Sequence, residues 1–290
     1  MKRFLALLVA LLPAACQFGA APHPHGAVGA AYRADGMWHY PRRVLSGSRT
    51  GLAATLADDH PALTANGEIF DPRALAAASP DLQMPAIVRV TNLANGLRLT
   101  VRVNDRGPRT PGRLLAVTPR VARLLGFPAS GIARVRMTVL TAPSQIAADA
   151  LAGHPSLAVT ADPVAAVASA PLGPPGAGGA APPAPRVALA TAHRPAGAIE
   201  PVLSGRLTRV ATAPGTLWVR LNRFTVYQYA AVLAARLAGL HPSIARGRDG
   251  TEEFFTDSLG PFAHVADADA ALRATLAAGV TAPRIVIEAE

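Results

Sequence analysis

Cysteine is almost absent from this chain of 290 residues: Cys16 is the only one, so no internal disulfide can form. Lysine is as scarce, with Lys2 alone, so the net charge of +10 comes from arginine. A basic balance suits a polyanionic partner. Aromatic residues make up only 5% of the chain, and no run of arginine is interleaved with them, which argues against a stacking platform for nucleic acid. Histidine and cysteine never gather at ligand spacing, so the sequence predicts no metal and no organic cofactor. What is plentiful is Ala, with 27 Pro and 25 Gly, so much of the chain is expected to be loop or linker.

The N-terminus points to export. Lys2 and Arg3 precede an apolar run over residues 4–12, too short to span a bilayer, and Pro13-Ala14-Ala15-Cys16 follows. This resembles a bacterial lipobox, which implies a signal peptide over 1–15 and lipidation of Cys16. The expected protein is an exported lipoprotein held at the membrane by its lipid anchor and facing the periplasm. Gln17 after the cysteine, where Asp often marks inner-membrane retention, favours the outer membrane. Residues 16–46 read as a flexible tether, because His23, His25 and His39 match no metal cage.

Residues 47–141 read as a compact, mostly β barrel with one small helix. Val88 and Val90 alternate with Arg89 and Thr91; after Asn95-Gly96, Leu99, Val101 and Val103 alternate with Thr100 and Arg102. That pattern predicts a hairpin with a type I′ turn. Val135, Met137 and Val139 mark a further strand. Thr118-Pro119 opens a helix that Gly126 closes, by the usual capping grammar. Residues 142–213 are dominated by Ala, Pro and Gly and read as a disordered linker. Residues 214–290 follow a βαββαβ order, a small α+β, ferredoxin-like domain in which Phe224 and Phe262 each precede a helix and Gly239 and Gly279 each follow one.

Three motifs carry a family resemblance: Thr64-Ala65-Asn66-Gly67-Glu68, residues 90–96 (VTNLANG) and Val103-Asn104-Asp105-Arg106-Gly107-Pro108. Together with Tyr32 to Gly36 and Tyr40-Pro41 they resemble the rare lipoprotein A family of septal lytic transglycosylases, built on a double-psi β-barrel. The C-terminal pattern, including Gly260-Pro261-Phe262, is similar to the SPOR module that such proteins often carry. The resemblance implies endolytic cleavage of MurNAc–GlcNAc bonds with formation of 1,6-anhydroMurNAc, on septal glycan strands lacking stem peptides. It implies peptidoglycan as the partner, with division-site proteins beside it.

By the same resemblance Asp105 and Glu68 are the catalytic carboxylates, with Asn66, Asn104, Arg106 and Trp218 as substrate-binding residues. One carboxyl protonates the glycosidic oxygen and then takes the proton of the MurNAc 6-hydroxyl, so water plays no part. Two family positions differ: Ser79 stands where a histidine is usual, and Ala116 where an aspartate is usual. A hydroxyl does not titrate near neutrality as imidazole does. The alternative is therefore a non-catalytic peptidoglycan-binding lipoprotein on the same fold. Taken alone, Asp105 and Glu68 also fit turn residues bonded to nearby backbone.

Overall fold

Alternating apolar residues in the middle of the chain and helical periodicity near its end belong to two architectures. The computed structural model contains both and describes residues 21–57, 59–152 and 203–288. The expected signal, Cys16 and residues 153–202 of the expected linker lie outside the described residues.

Strands β1 (Tyr32–Ala34) and β2 (Met37–His39) form a short antiparallel hairpin. β3 (Gly47–Thr55), β4 (Ala76–Ala78), β5 (Ala86–Asn92), β6 (Leu97–Asp105), β7 (Arg113–Val117) and, after helix α1 (Pro119–Leu124), β8 (Ile132–Val139) follow. These six pair in the order β4-β7-β3-β8-β5-β6, and β6 returns to β4 to close the barrel. Closure leaves no open edge within the ring. β3 with β7 and β4 with β6 run parallel; the other neighbours are antiparallel. This is the double-psi barrel that the motifs implied. Val88, Val90, Leu99, Val101, Val103, Val135 and Met137 point inward, none more than 1% exposed, as their period-2 spacing requires.

Capping of α1 is as read: the Thr118 hydroxyl accepts from the Val121 N–H, Pro119 stands in the first turn, and Gly126 takes a positive φ of 65°. The hairpin turn differs. Only Gly96 has positive φ (73°), so the loop is not type I′. Asn92 holds it instead, its Oδ1 accepting from Ala94 N–H at 3.0 Å and its carbonyl from Gly96 N–H at 2.8 Å.

Two stretches expected to be featureless are built onto the barrel. Ahead of β3, the backbone of Ala27 exchanges both hydrogen bonds with Met84, each at 2.7 Å. The Tyr32 hydroxyl donates to the Pro80 carbonyl, and burial pushes that phenol up to about 12. After the barrel, helix α2 (Thr141–Ala152) docks through Ser144, whose hydroxyl oxygen accepts from the Ile87 N–H at 2.9 Å.

β9 (Thr208–Arg209) then pairs with β6, and β10 (Thr216–Phe224), α3 (Tyr227–Arg236), β11 (Ser243–Asp249), β12 (Glu252–Phe262), α4 (Val265–Ala277) and β13 (Arg284–Glu288) complete the chain. Their sheet order β11-β12-β10-β13, all antiparallel, is ferredoxin-like. Leu217, Val219, Leu221, Leu259, Ile285 and Ile287 form a core with Ala268 and Leu272 of α4. After α3 the left-handed residue is His241 (φ 52°), not Gly239. Phe255 packs edge-on against Tyr227 of α3, while Phe254 lies beneath the Arg223 guanidinium, so neither is fully buried.

The two domains share a seam. Leu52 and Leu93 of the barrel join the C-terminal core, and Arg113 makes a two-pronged ion pair with Asp269 at 2.6 and 2.7 Å. Gly51 lets β13 approach; a Cβ there would sit 2.9 Å from Leu114 Cβ and 3.2 Å from the Ile285 carbonyl.

Candidate active site

The turn over residues 64–68 is sewn together by its own side chains. Thr64 Oγ1 donates to Asn66 Oδ1 at 2.7 Å, and the Glu68 N–H donates back to Thr64 Oγ1 at 3.1 Å. Gly67 takes φ 79°, and a Cβ on it would lie 2.2 Å from the His23 carbonyl oxygen, so only glycine fits. This turn plugs onto the end of β6. Asn66 N–H donates to the Asn104 carbonyl at 3.3 Å and Ala65 N–H to Asp105 Oδ1 at 2.7 Å.

Glu68 points into the protein. Its Oε1 accepts from Asn66 Nδ2 (2.7 Å) and Arg102 (2.6 and 3.1 Å), and its Oε2 from Asn104 Nδ2 (2.6 Å). Burial alone would raise its pKa, but the bonds from Arg102, Asn104 and Asn66 and the Arg102 charge outweigh it and hold the carboxyl below its ordinary value. An ionised, saturated carboxylate is a poor proton donor and a good anchor.

Asp105 is the last residue of β6, with its backbone held by Ser79 N–H donating to its carbonyl at 2.9 Å. Its Oδ1 accepts from the N–H groups of Ala65 and Arg106 at 2.7 and 2.8 Å. Its Oδ2 meets His60 Nε2 at 2.6 Å. The imidazole is stacked on Phe70, centroids 4.0 Å apart, and its Nδ1 lies 3.0 Å from the Pro61 carbonyl oxygen. The neutral ring carries one hydrogen, which serves either the Pro61 carbonyl or Asp105 Oδ2 according to its tautomer. Asp105 and His60 line a cleft of about 460 Å³, with Thr55, Leu56, Pro108, Thr110 and Ala116 on its walls. Glu68 is not among its lining residues.

A cleft walled by an Asp–His pair in contact at 2.6 Å, on a six-stranded barrel, can now be set beside known proteins. The sequence profile of the family described as lytic transglycolase matches residues 49–137. That match takes in most of the barrel. The endolytic peptidoglycan transglycosylase RlpA of Yersinia pestis is 49% identical over 81 residues, 28% of this chain and 22% of the relative. RlpA of Rickettsia bellii is 34% identical over 122 residues, 41% of this chain and 54% of the relative. RlpA of Pseudomonas aeruginosa (strain UCBPP-PA14) is 33% identical over 225 residues, 76% of this chain and 65% of the relative. The chain thus spans less than two-thirds of the length of each of these relatives.

Within this RlpA-like barrel the expected site residues separate. Asn66 and Asn104 are 0% and 6% exposed, direct their amides to Glu68 and do not line the cleft. Arg106, expected to bind substrate, turns its guanidinium to the carbonyls of Ser79, Leu82 and Val28, tying down the N-terminal segment; burial pushes its pKa down. Only its backbone N–H serves Asp105. Trp218 lies on β10 in the other domain, donating to Thr216 Oγ1 at 3.1 Å. Ser79 is fully buried and its hydroxyl has no hydrogen-bond partner among the described residues. His60 is the residue that sequence reading missed. It stands 45 positions before Asp105, outside every motif, and the one available signal was that it is the only histidine between residues 47 and 141.

Proposed function

We propose that this chain is an endolytic peptidoglycan transglycosylase acting through Asp105 and His60, with Glu68 as the anchor that fixes their turn. The observation that carries the reading is the 2.6 Å contact between Asp105 Oδ2 and His60 Nε2 on the wall of a cleft large enough for a sugar. The proton held between them passes to the glycosidic oxygen as the C1–O bond breaks. The pair, now a base, takes the proton of the MurNAc 6-hydroxyl as O6 bonds to C1. One proton leaves and one returns, so the pair ends as it began and no water is consumed. His60 thus supplies an imidazole to a site whose position 79 holds Ser. The relatives, endolytic peptidoglycan transglycosylases by name, support the same chemistry.

The test is mass spectrometry of products from peptidoglycan stripped of stem peptides. Wild-type protein is expected to generate 1,6-anhydroMurNAc ends and Asp105→Asn none. Retained sedimentation with glycan but no anhydro ends from the wild type would instead favour a binding protein on this fold.

We infer further that the C-terminal domain is a SPOR module that targets glycan, on the strength of its βαββαβ order and the Gly260-Pro261-Phe262 segment. Export and lipidation at Cys16, with outer-membrane placement and division-site partners, are part of the same proposal, supported by the lipobox-like N-terminal sequence. Labelling with a palmitate analogue, lost in Cys16→Ala, checks the anchor.

A further inference from the structure

A second depression, of about 490 Å³, opens where the β1–β2 hairpin, the barrel and β13 meet. It adjoins the Asp105 cleft along the loop after β6, since Pro108 and Thr110 line both. Five arginines and three carboxylates face it. Most of that charge is internally matched. Arg49 pairs with Asp81 at 3.4 Å, Arg220 pairs with Glu288, and Arg113 turns to Asp269. Arg42 and Arg284 make no ion pair among the described residues. Desolvation and the positive charges of Arg49, Arg220 and Arg42 push the Arg284 pKa down, against the opposing charge of Asp81. At the rim, Trp38 and Tyr40 are 44% and 59% exposed and stack with centroids 6.4 Å apart.

We propose that this groove is a second saccharide subsite that selects a sugar bearing a free carboxylate. The exposed rings offer apolar faces to a pyranose, and two unpaired guanidiniums offer planar, two-pronged donors to a carboxylate. The inference rests on the peptidoglycan reading above, and there the matching group is the lactyl carboxylate of MurNAc, free only once the stem peptide is gone. A strand lying through both depressions is held by its charge in register with Asp105. The hairpin and β13 then form one binding track with the barrel, and preference for stripped glycan is encoded at their junction.

The experiment uses the full chain carrying Asp105→Asn, so that ligands survive. Dissociation constants are measured for stripped glycan strands, for the same strands with carboxylates capped as methylamides, and for chitin oligosaccharides of matched length. Adding Arg42→Ala and Arg284→Ala together is expected to weaken binding of stripped strands about tenfold or more, the scale of a lost charge-assisted hydrogen bond. Capped strands bind the parent equally weakly, and chitin binds parent and variant alike. Trp38→Ala, an exposed change, is expected to weaken all three ligands. Stripped strands binding the double variant as tightly as the parent, with its melting temperature unchanged, would overturn the subsite. So would capped strands binding like uncapped ones. Wild-type protein digests stripped strands in parallel. Anhydro ends without carboxylate-dependent binding sink the groove alone, and carboxylate-dependent binding without anhydro ends sinks the catalytic reading alone.

Discussion

Around Glu68 every bonding direction faces a donor inside the protein, from Arg102, Asn104 and Asn66. Around Asp105 one oxygen is taken by two backbone N–H groups and the other by an imidazole on the wall of an open cleft. Both carboxylates sit on interlocked turns, and the sequence motifs present them as a pair. On the proposed reading the difference in surroundings divides their work: a carboxylate saturated by donors fixes structure, and one facing an imidazole at a cleft exchanges a proton.

The contrast can be broken in several ways. Asp105→Asn removes the exchangeable site and is expected to lower the rate of anhydro-end formation about 10³-fold, ~4 kcal/mol of barrier, in a single-turnover assay. Arg102→Met strands the Glu68 carboxylate without its cation and is expected to destabilise the fold by about 3 kcal/mol in urea unfolding. The pH dependence has a definite sign. Because the folded Glu68 pKa is depressed, its stabilisation is present above the ordinary value of 4.5 and is lost as pH falls through the folded value; Glu68→Gln flattens that acid limb. His60→Gln leaves Asp105 without its proton partner, for a loss of about 10²-fold in rate with the melting temperature little changed.

A third carboxylate sharpens the comparison from the opposite side. Asp257 on β12 is fully buried with neither oxygen bonded among the described residues, and burial pushes its pKa from 3.8 to about 6. The folded state then holds the proton more tightly than the unfolded chain, so stability falls as pH rises from 3.8 to about 6. Asp257→Asn is expected to remove that slope and stabilise the protein by roughly 2 kcal/mol at pH 7.5, measured by thermal melts across pH. The smallest effect is expected at Ser79. Its hydroxyl is unbonded among the described residues, so Ser79→Ala is expected to change stability by less than about 1 kcal/mol and leave the rate intact. Loss of activity there would mean that residue 79 still takes part.

Where local physics decided structure, the sequence was readable. The β5–β6 pair, the capped helix α1 and the βαββαβ order all follow from periodicity and capping within a few residues. The interlock of residues 64–68 with 103–108 was legible only through resemblance. Other features depend on partners far along the chain. β4 is three alanines, without periodicity, buried because the barrel closes around it. The hairpin over residues 32–39 and helix α2 lie in Ala-, Pro- and Gly-rich stretches that read as tether and linker. They are ordered by bonds such as Ala27 to Met84 and Ile87 to Ser144. The His60–Asp105 contact joins a loop to a strand end 45 residues later, and no spacing rule reaches that far.

The most direct test of the central claim compares Asp105→Asn with Glu68→Gln, each assayed at a temperature well below its own melting point, by the initial rate of 1,6-anhydroMurNAc end formation. The division of labour predicts a drop of about 10³-fold for Asp105→Asn and a rate within about tenfold of wild type for Glu68→Gln. Equal collapse of both rates in folded proteins would contradict it and return Glu68 to the chemistry.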